Sequence, residues 1–350
     1  MTQLTHGGDW AGYRAQYGHD ALDFSANVSP LGLPQGVANA IAAALPHADR
    51  YPDPLCRALR AKLAPHEGIP AESILCGNGA ADLIFRLVWA AKPRTALVTA
   101  PTFAEYAAAL ESAGCAVRRH FLQAEVDFAV TDSILSSITP EVDMVFLCQP
   151  NNPTGQLTPL PLVERILRRC EACGALLVVD ECFLDFLPDC DTLTAKALLD
   201  SKNLLILKAF TKLYGMAGVR LGYCLCANTA LLEAMQAAGQ PWAVSSLAQA
   251  AGLAALDETA YVAQVRALIA QQRPRLTAGL RALGLRVLDG RANYLLFQGP
   301  ETLGDALRQW GVVLRSCSNY PGLDGSWYRT AVRTGPENDE LLKTLAEVLA

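Results

Sequence analysis

Charge is scarce in this chain. Only 18% of its 350 residues are Asp, Glu, Lys or Arg, and the balance, 29 basic against 34 acidic, is negative. Such a balance argues against nucleic acid as a main partner, because neutralising phosphates needs a basic surface. Long apolar runs are missing as well. No uncharged stretch reaches the ~18–20 residues of a bilayer-spanning helix, and the richest, Ser245 to Leu256, is short and Ala-rich. The opening segment, MTQLTHGGDW, has no basic stretch followed by an apolar one, as an export signal would. Repeats and low-complexity linkers are absent, and the 26 Gly and 20 Pro follow no period, which excludes a fibrous chain. The expectation is a soluble, cytoplasmic protein with no membrane partner.

What the chain does have is apolar mass. Half of it, 51%, is hydrophobic, enough for a large core, and its length corresponds to about two domains at ~150 residues each. Its eleven cysteines are an odd number in a long chain. Free thiols acting as small hydrophobes are expected, not a disulfide framework. Cys170 and Cys173 form the one CxxC, and no His or second CxxC lies near enough to complete a metal site. No metal is expected.

Short apolar runs alternate with amphipathic ones. Strands are predicted at Thr95–Thr99, Cys115–Phe121, Asp143–Cys148, Ala175–Val179, Asn203–Lys208 and Leu221–Cys226. Helices are predicted at Ala80–Ala91, Phe103–Ala113, Pro161–Cys173 and Asp191–Asp200. This is the pattern of an α/β domain with a mostly parallel sheet. From about Leu256 the pattern becomes α+β. A long helical run reaches Leu283, with Pro274 expected to bend or restart it. Strands at Asn293–Gln298, Val312–Leu314 and Trp327–Val332 and a last helix at Glu337–Leu349 follow. Gly7-Gly8, Asn27, Ser29-Pro30 and Gly32 mark the first ~45 residues as an arm with little regular structure before Pro34. The expected division is 1–45 as arm and part of a small domain, 46–255 as a large domain, and 256–350 as the rest of the small one.

In open sheets of this kind ligands bind beyond the carboxyl ends of the strands, so polar residues just after strands come first. Gly77-Asn78-Gly79-Ala80 opens a helix and exposes backbone N–H groups to an anion. It is no dinucleotide fingerprint, because Asp82 stands where a glycine is needed. Pro150-Asn151-Asn152-Pro153-Thr154-Gly155 follows a strand as a fixed turn. Asp180-Glu181 follows another, as ligand carboxylates or as a helix cap. Thr211-Lys212 follows a third, with Arg220 eight residues on. Each is weak alone. Together they supply what a pyridoxal phosphate site needs: a phosphate cup at Gly79-Ala80, a donor in Asn152, a carboxylate for the ring nitrogen in Asp180, a lysine in Lys212, and a phosphate cation in Arg220.

On these marks the chain resembles the fold-type I, class II-type aminotransferase family. PNNPTG, DE after an apolar strand, and TK–x7–R–x–GY are the family's motifs, and the likeness covers nearly the whole chain. Within the family it is most similar to the threonine-phosphate decarboxylase branch of cobalamin biosynthesis. HGGDW, DFSANVSPLG, RYPDP, CGNGAADLIF, PTFAEY, FLCQPNNPTG, VVDECFLDF, GMAGVRLGY, QPWAVSSLAQ, ANYLLF and LRSCSNYPGLD carry that likeness.

The resemblance implies a large domain with a mixed, mostly parallel seven-stranded sheet and a small α+β C-terminal domain. It also implies pyridoxal 5'-phosphate as cofactor and a homodimer with shared active sites. It makes Lys212 the cofactor lysine, Asp180 the partner of the ring nitrogen, and Phe103 the ring-stacking aromatic. Thr211 and Arg220 join Gly79 and Ala80 on the phosphate, and Tyr51 reaches the neighbouring subunit's cofactor. Arg329 clamps the substrate carboxylate. His6, Gly7, Gly8, Asn27, Asn152, Arg315 and Arg333 complete substrate binding, with His6, Arg315 and Arg333 as charge for a phosphate.

Two departures stand out. Ala209 occupies the place, three before the lysine, of a hydroxyl residue. Phe183 stands where aminotransferases carry a Tyr, and so fits the decarboxylase branch. The implied reaction is decarboxylation of L-threonine O-3-phosphate to (R)-1-aminopropan-2-yl phosphate. The alternatives are a histidinol-phosphate-type aminotransferase, a decarboxylase of phosphoserine, and a cofactor-binding regulator. The last usually carries a basic DNA-binding domain, for which this chain has neither the length nor the charge.

Overall fold

A computed structural model describes residues 6–350. Residues 1–5 of the expected arm lie outside the described residues. Thirteen strands are described: β1 Leu22–Asp23, β2 Ile74–Gly77, β3 Thr95–Ala100, β4 Ala116–Phe121, β5 Met144–Cys148, β6 Leu176–Asp180, β7 Leu204–Ala209, β8 Gly222–Cys226, β9 Arg286–Val287, β10 Tyr294–Gln298, β11 Val312–Val313, β12 Arg315–Ser316 and β13 Trp327–Ala331. Seven form one sheet in the order β2-β8-β7-β6-β5-β3-β4. Strand β8 runs antiparallel to both its neighbours, and the other pairs are parallel. The predicted strands agree with these to within one residue at each end.

The central strands β5 and β7 are buried along their whole length, and β6 after its first residue. This explains their unbroken apolar sequence, since helices cover both faces of a parallel sheet. The edge strand β4 is instead mostly exposed and carries Arg118, Arg119 and His120. Charges there discourage pairing with another chain. A second, antiparallel sheet has the order β12-β13-β10-β9, and in it Arg315 lies directly across from Arg329.

Three sequence expectations need correction. The N-terminal segment contains a helix, Trp10–Tyr17, and β1, which pairs in parallel with β11. Asp9 caps the helix by accepting from the Gly12 N–H, and Gly18 ends it in the left-handed region. Its Tyr13 is buried against the chain's far end, with its hydroxyl donating to the Arg308 carbonyl. Glycine turn signals conceal so short a helix. The predicted helix Asp191–Asp200 is two pieces, Cys190–Leu193 and a 3₁₀ turn Ala195–Leu198. The break at Thr194 serves buried Glu181, which accepts from the Thr194 hydroxyl and the Ala195 N–H at 2.7 Å each. Pro274 does not restart the helix, for one helix runs from Thr259 to Ala282 through it.

All eleven cysteines are free thiols, and all but Cys173 are buried. No group of His, Cys, Asp and Glu among the described residues could hold a metal, and no described helix is long and apolar enough to cross a membrane.

A buried ionic cluster ties β7 to the segment before β2. Glu67 lies within 2.9 Å of Lys196 and 3.9 Å of Lys208, and accepts from the Tyr223 hydroxyl at 2.5 Å. Burial alone would raise its pKa, but the two ammonium groups and the hydroxyl outweigh burial and hold it at about 2. Replacing Glu67 with Gln should therefore destabilise the protein by about 3–5 kcal/mol at neutral pH, the usual loss when one partner of a buried pair is removed. A carboxyl depressed in the folded state stabilises above its unfolded pKa and loses that effect as pH falls towards the folded one. The gap between native and Glu67→Gln in denaturant midpoints should accordingly shrink between pH about 4.5 and about 2.

Candidate active site

Three neighbouring strands, β5, β6 and β7, end at one place. Register sets Cys148 beside Asp180, and Asp180 beside Leu207. Beyond β5 the chain turns at 149–155, where Asn151 acts as the brace. Its amide donates to the Pro101 carbonyl and the Thr154 hydroxyl, both at 3.0 Å, and it accepts from the Thr102 hydroxyl at 2.8 Å. That leaves Asn152 to face the cavity, where its Oδ1 accepts from Arg329 Nη1 at 2.5 Å.

Asp180, the last residue of β6, accepts from the Cys182 N–H at 3.0 Å and from the Tyr106 hydroxyl at 2.6 Å. Tyr106 is wholly buried and stacks on Phe146. Its phenol is pushed well above its ordinary pKa by burial and then by the Asp180 charge, so it stays a donor. Lys212 sits on the short helix Phe210–Leu213 that follows β7. Burial, then the Arg329 guanidinium, and to a lesser degree Arg220 lower its pKa to about 8. Its Nζ lies 5.7 Å from the Phe183 ring centre.

The helix Gly79–Ala91 opens onto the same place. Gly79 has φ of +82°, and a Cβ there would meet Arg220 Nη2 at 2.6 Å, so only glycine lets that guanidinium reach the helix start. Asp82 fixes the turn. It accepts from the Asn78 N–H at 2.8 Å and is itself held by Arg86 Nε at 2.9 Å.

These groups line a cavity of about 110 Å³ that contains Ala80, Phe103, Asn152, Asp180, Thr211, Lys212 and Arg220. Ala209 lines it too, so Thr211 is the one hydroxyl among its described lining residues. An outer cavity of about 480 Å³ shares Phe103, Asn152, Lys212 and Arg220 and adds His6, Gly7, Asn27, Arg315, Tyr320 and Arg329. Arg329 donates to the Ser25 carbonyl at 2.8 Å and lies over the Tyr294 ring. Asn27 is buried, yet neither atom of its amide has a hydrogen-bond partner, nor does Arg329 Nε. Unmet polar groups of this kind suit a ligand that satisfies them.

Most residues singled out from the sequence thus come together. Gly8 lines an adjoining cavity of about 360 Å³ that shares His6, Gly7 and Arg315. Arg333 is a correction. It pairs with Glu337 at 2.6 Å, donates to the Asp23 carbonyl and lies over Phe24, so it anchors the last helix to β1 and is absent from these cavities. Tyr51 is 80% exposed, stacked on Trp242, and lines none of its own chain's site cavities. Tyr106, Glu105, Cys148, Cys182 and Tyr320 line or buttress the site without having been singled out. For Tyr106 a signal existed: it lies one helical turn after Phe103 in PTFAEY and so shares its face.

Residues 19–346 match the family described as aminotransferase class I and II. The chain belongs to that family. A relative from Salmonella typhimurium named threonine-phosphate decarboxylase is 40% identical over 94% of this chain and 91% of its own length. A histidinol-phosphate aminotransferase from Desulfitobacterium hafniense is 34% identical over 94% and 92%. The crystal structure of a histidinol-phosphate aminotransferase from Sinorhizobium meliloti in complex with pyridoxal-5'-phosphate superposes with a TM-score of 0.85 at 25% identity, covering 99% of this chain and 95% of that one. The mixed, mostly parallel seven-stranded sheet is that of the class I and II aminotransferases, fold-type I.

In the cofactor-free protein, labelling of Lys212 by an amine-reactive reagent should rise with pH through about 8, well below an ordinary lysine. Arg329→Gln removes a cation that disfavours the ammonium, so the midpoint should move upward. Mass spectrometry of the Lys212 peptide across a pH series reads both.

Proposed function

We propose that this protein is a pyridoxal 5'-phosphate-dependent decarboxylase of L-threonine O-3-phosphate. It releases CO2 and (R)-1-aminopropan-2-yl phosphate, the aminopropanol arm of cobalamin. One observation carries the reading: a buried lysine lowered to about 8, at the end of β7 and close to buried Asp180, opens onto an outer cavity lined by Arg315 and Arg329. The 40%-identical threonine-phosphate decarboxylase supports it.

The residues present fit the cofactor. Lys212 would hold it covalently, Asp180 would keep a proton on its ring nitrogen, and Phe103 would cover the ring. The helix start at Gly79-Ala80, with Thr211 and Arg220, would take its phosphate. When bound, pyridoxal phosphate supplies a ring that accepts the electron pair of a bond broken at the substrate Cα.

The chain's own groups decide which bond that is. Arg329 presents a planar fork to the substrate carboxylate, and Asn152 fixes the fork from one side. His6 and Arg315 take the substrate phosphate, with the Asn27 amide and the Gly7-Gly8 backbone beside them. With the substrate held at both ends, Arg329 and the phosphate contacts would orient the bond between Cα and the carboxylate for cleavage, so that the carboxylate would leave as CO2. Lys212 Nζ then delivers the proton that replaces it at Cα. Phe183 favours this course because its ring has no hydroxyl to direct at the cofactor.

The same reading takes residues 46–255 as the large domain and the remainder as arm and small domain. The pairing of β1 with β11 supports placing the segment around Leu22 and Asp23 there. It makes the active unit a cytoplasmic homodimer in which Tyr51 reaches the neighbour's cofactor phosphate.

Turnover of phosphothreonine should release CO2 without 2-oxoglutarate. Free threonine, lacking two or more charge-assisted contacts, should be at least about a hundredfold poorer in kcat/KM. Activity that appears only with 2-oxoglutarate would instead favour the aminotransferase reading, which the 34%-identical relative supports. Mixing inactive Lys212→Ala with inactive Tyr51→Ala should restore part of the activity, because hybrid dimers contain one intact site. A fully active monomer would refute the shared site.

A further inference from the structure

The outer cavity holds a contradiction. Its lining includes His6, Lys212, Arg220, Arg315 and Arg329, as an anionic substrate requires, yet Glu105 also lines it. Glu105 is the one carboxylate among the described lining residues of that cavity. A free carboxylate there would repel the ligand that the cations attract.

Its contacts resolve the contradiction. Glu105 lies in the first turn of the helix Ala104–Ser112, two residues after Phe103. His6 Nε2 lies 2.6 Å from Glu105 Oε1, a contact across 99 residues of chain. The His6 ring also sits 5.8 Å from that of Phe103. A carboxylate only accepts, so Nε2 carries the hydrogen and donates it. The ring is thereby fixed by one nitrogen, and Nδ1 is left as its second polar atom. As the imidazolium, the ring donates through Nδ1 as well. The Glu105 carboxyl is held below its usual range, with the His6 hydrogen bond the largest cause.

We propose that Glu105 is a positioning residue for substrate recognition: it latches the N-terminal arm across the cavity mouth by His6 Nε2 and so presents the ring to the substrate's phosphate. The dependence is mutual. His6 masks the one carboxylate that would otherwise oppose a phosphate, and Glu105 keeps His6 from swinging into solvent, to which it is half exposed. The inference rests on the reading that the substrate is a phosphorylated amino acid.

A double-mutant cycle on the holoenzyme tests it, with dissociation constants for phosphothreonine and threonine read from the cofactor's absorbance and with KM and kcat beside them. Glu105→Gln should weaken phosphothreonine binding by roughly ten- to a hundredfold, the range for one charge-assisted hydrogen bond. The loss should appear in KM more than in kcat, and discrimination against threonine should fall. His6→Ala should weaken phosphothreonine binding at least as much. Adding Glu105→Gln to His6→Ala should then tighten binding again, because the unmasked carboxylate is gone. That reversal of sign is not expected of a residue that only supports the fold. Equal effects of Glu105→Gln in both backgrounds, or no effect on phosphothreonine, would overturn the latch. The outcome is separable from the decarboxylase assignment. An enzyme that binds phosphothreonine and transaminates it loses that assignment and keeps the latch, whereas one that fails to bind it loses both.

Discussion

Taking a lysine amine out of water is the constraint around which this molecule is arranged. A buried ammonium is disfavoured by desolvation, and here two guanidinium groups disfavour it further. Such a lysine must be placed by backbone that cannot relax, which the fully buried strand β7 provides. It must also lie near a carboxylate, yet not so near that the pair closes on itself. Asp180 meets that requirement because Tyr106 and the Cys182 N–H already occupy its oxygens. Four residues upstream, Lys208 shows the opposite outcome. It lies against Asp185 and near Glu67, and these carboxylates, with Glu181, outweigh burial and raise its pKa. Strand β7 and the short helix that follows it thus present two buried lysines of opposite character, distinguished by their neighbours.

Much of this was legible in the sequence, for physical reasons. Continuous apolar runs mark strands covered on both faces, and in a parallel sheet the residue after such a run lies at the binding edge. Asp180 and Asn152 can therefore be placed from the sequence alone. Tyr106 could not be, because a buried phenol whose purpose is to hold another side chain looks in sequence like any core aromatic. Arg333 failed for the reverse reason. It lies two residues beyond β13, outside the register that carries Arg329 towards the cavity, and Glu337 one helical turn on captures it. Glycine-rich local sequence concealed the helix Trp10–Tyr17, whose Tyr13 hydroxyl bonds a carbonyl nearly 300 positions away.

Asp82 shows how one residue can exclude a function and serve another. Its carboxylate breaks the glycine pattern of a dinucleotide loop. In the folded chain the same carboxylate pins the Asn78 N–H, and buried Arg86 keeps it from facing the anion site as a free charge. The cup is therefore shaped by a side chain that does not line it.

The route of the chain has a consequence in time. The lysine, the acidic residue and the anion cup all lie between Gly79 and Arg220, and their sheet is complete at Cys226. The outer cavity instead needs residues from His6 to Asn27 together with Arg315 and Arg329, brought side by side when β1 joins β11. A growing chain can thus form the reactive half long before the selective half exists. Until its last strand, β13, is in place, the protein has the means to hold a reactive group but not the clamp that chooses what that group meets.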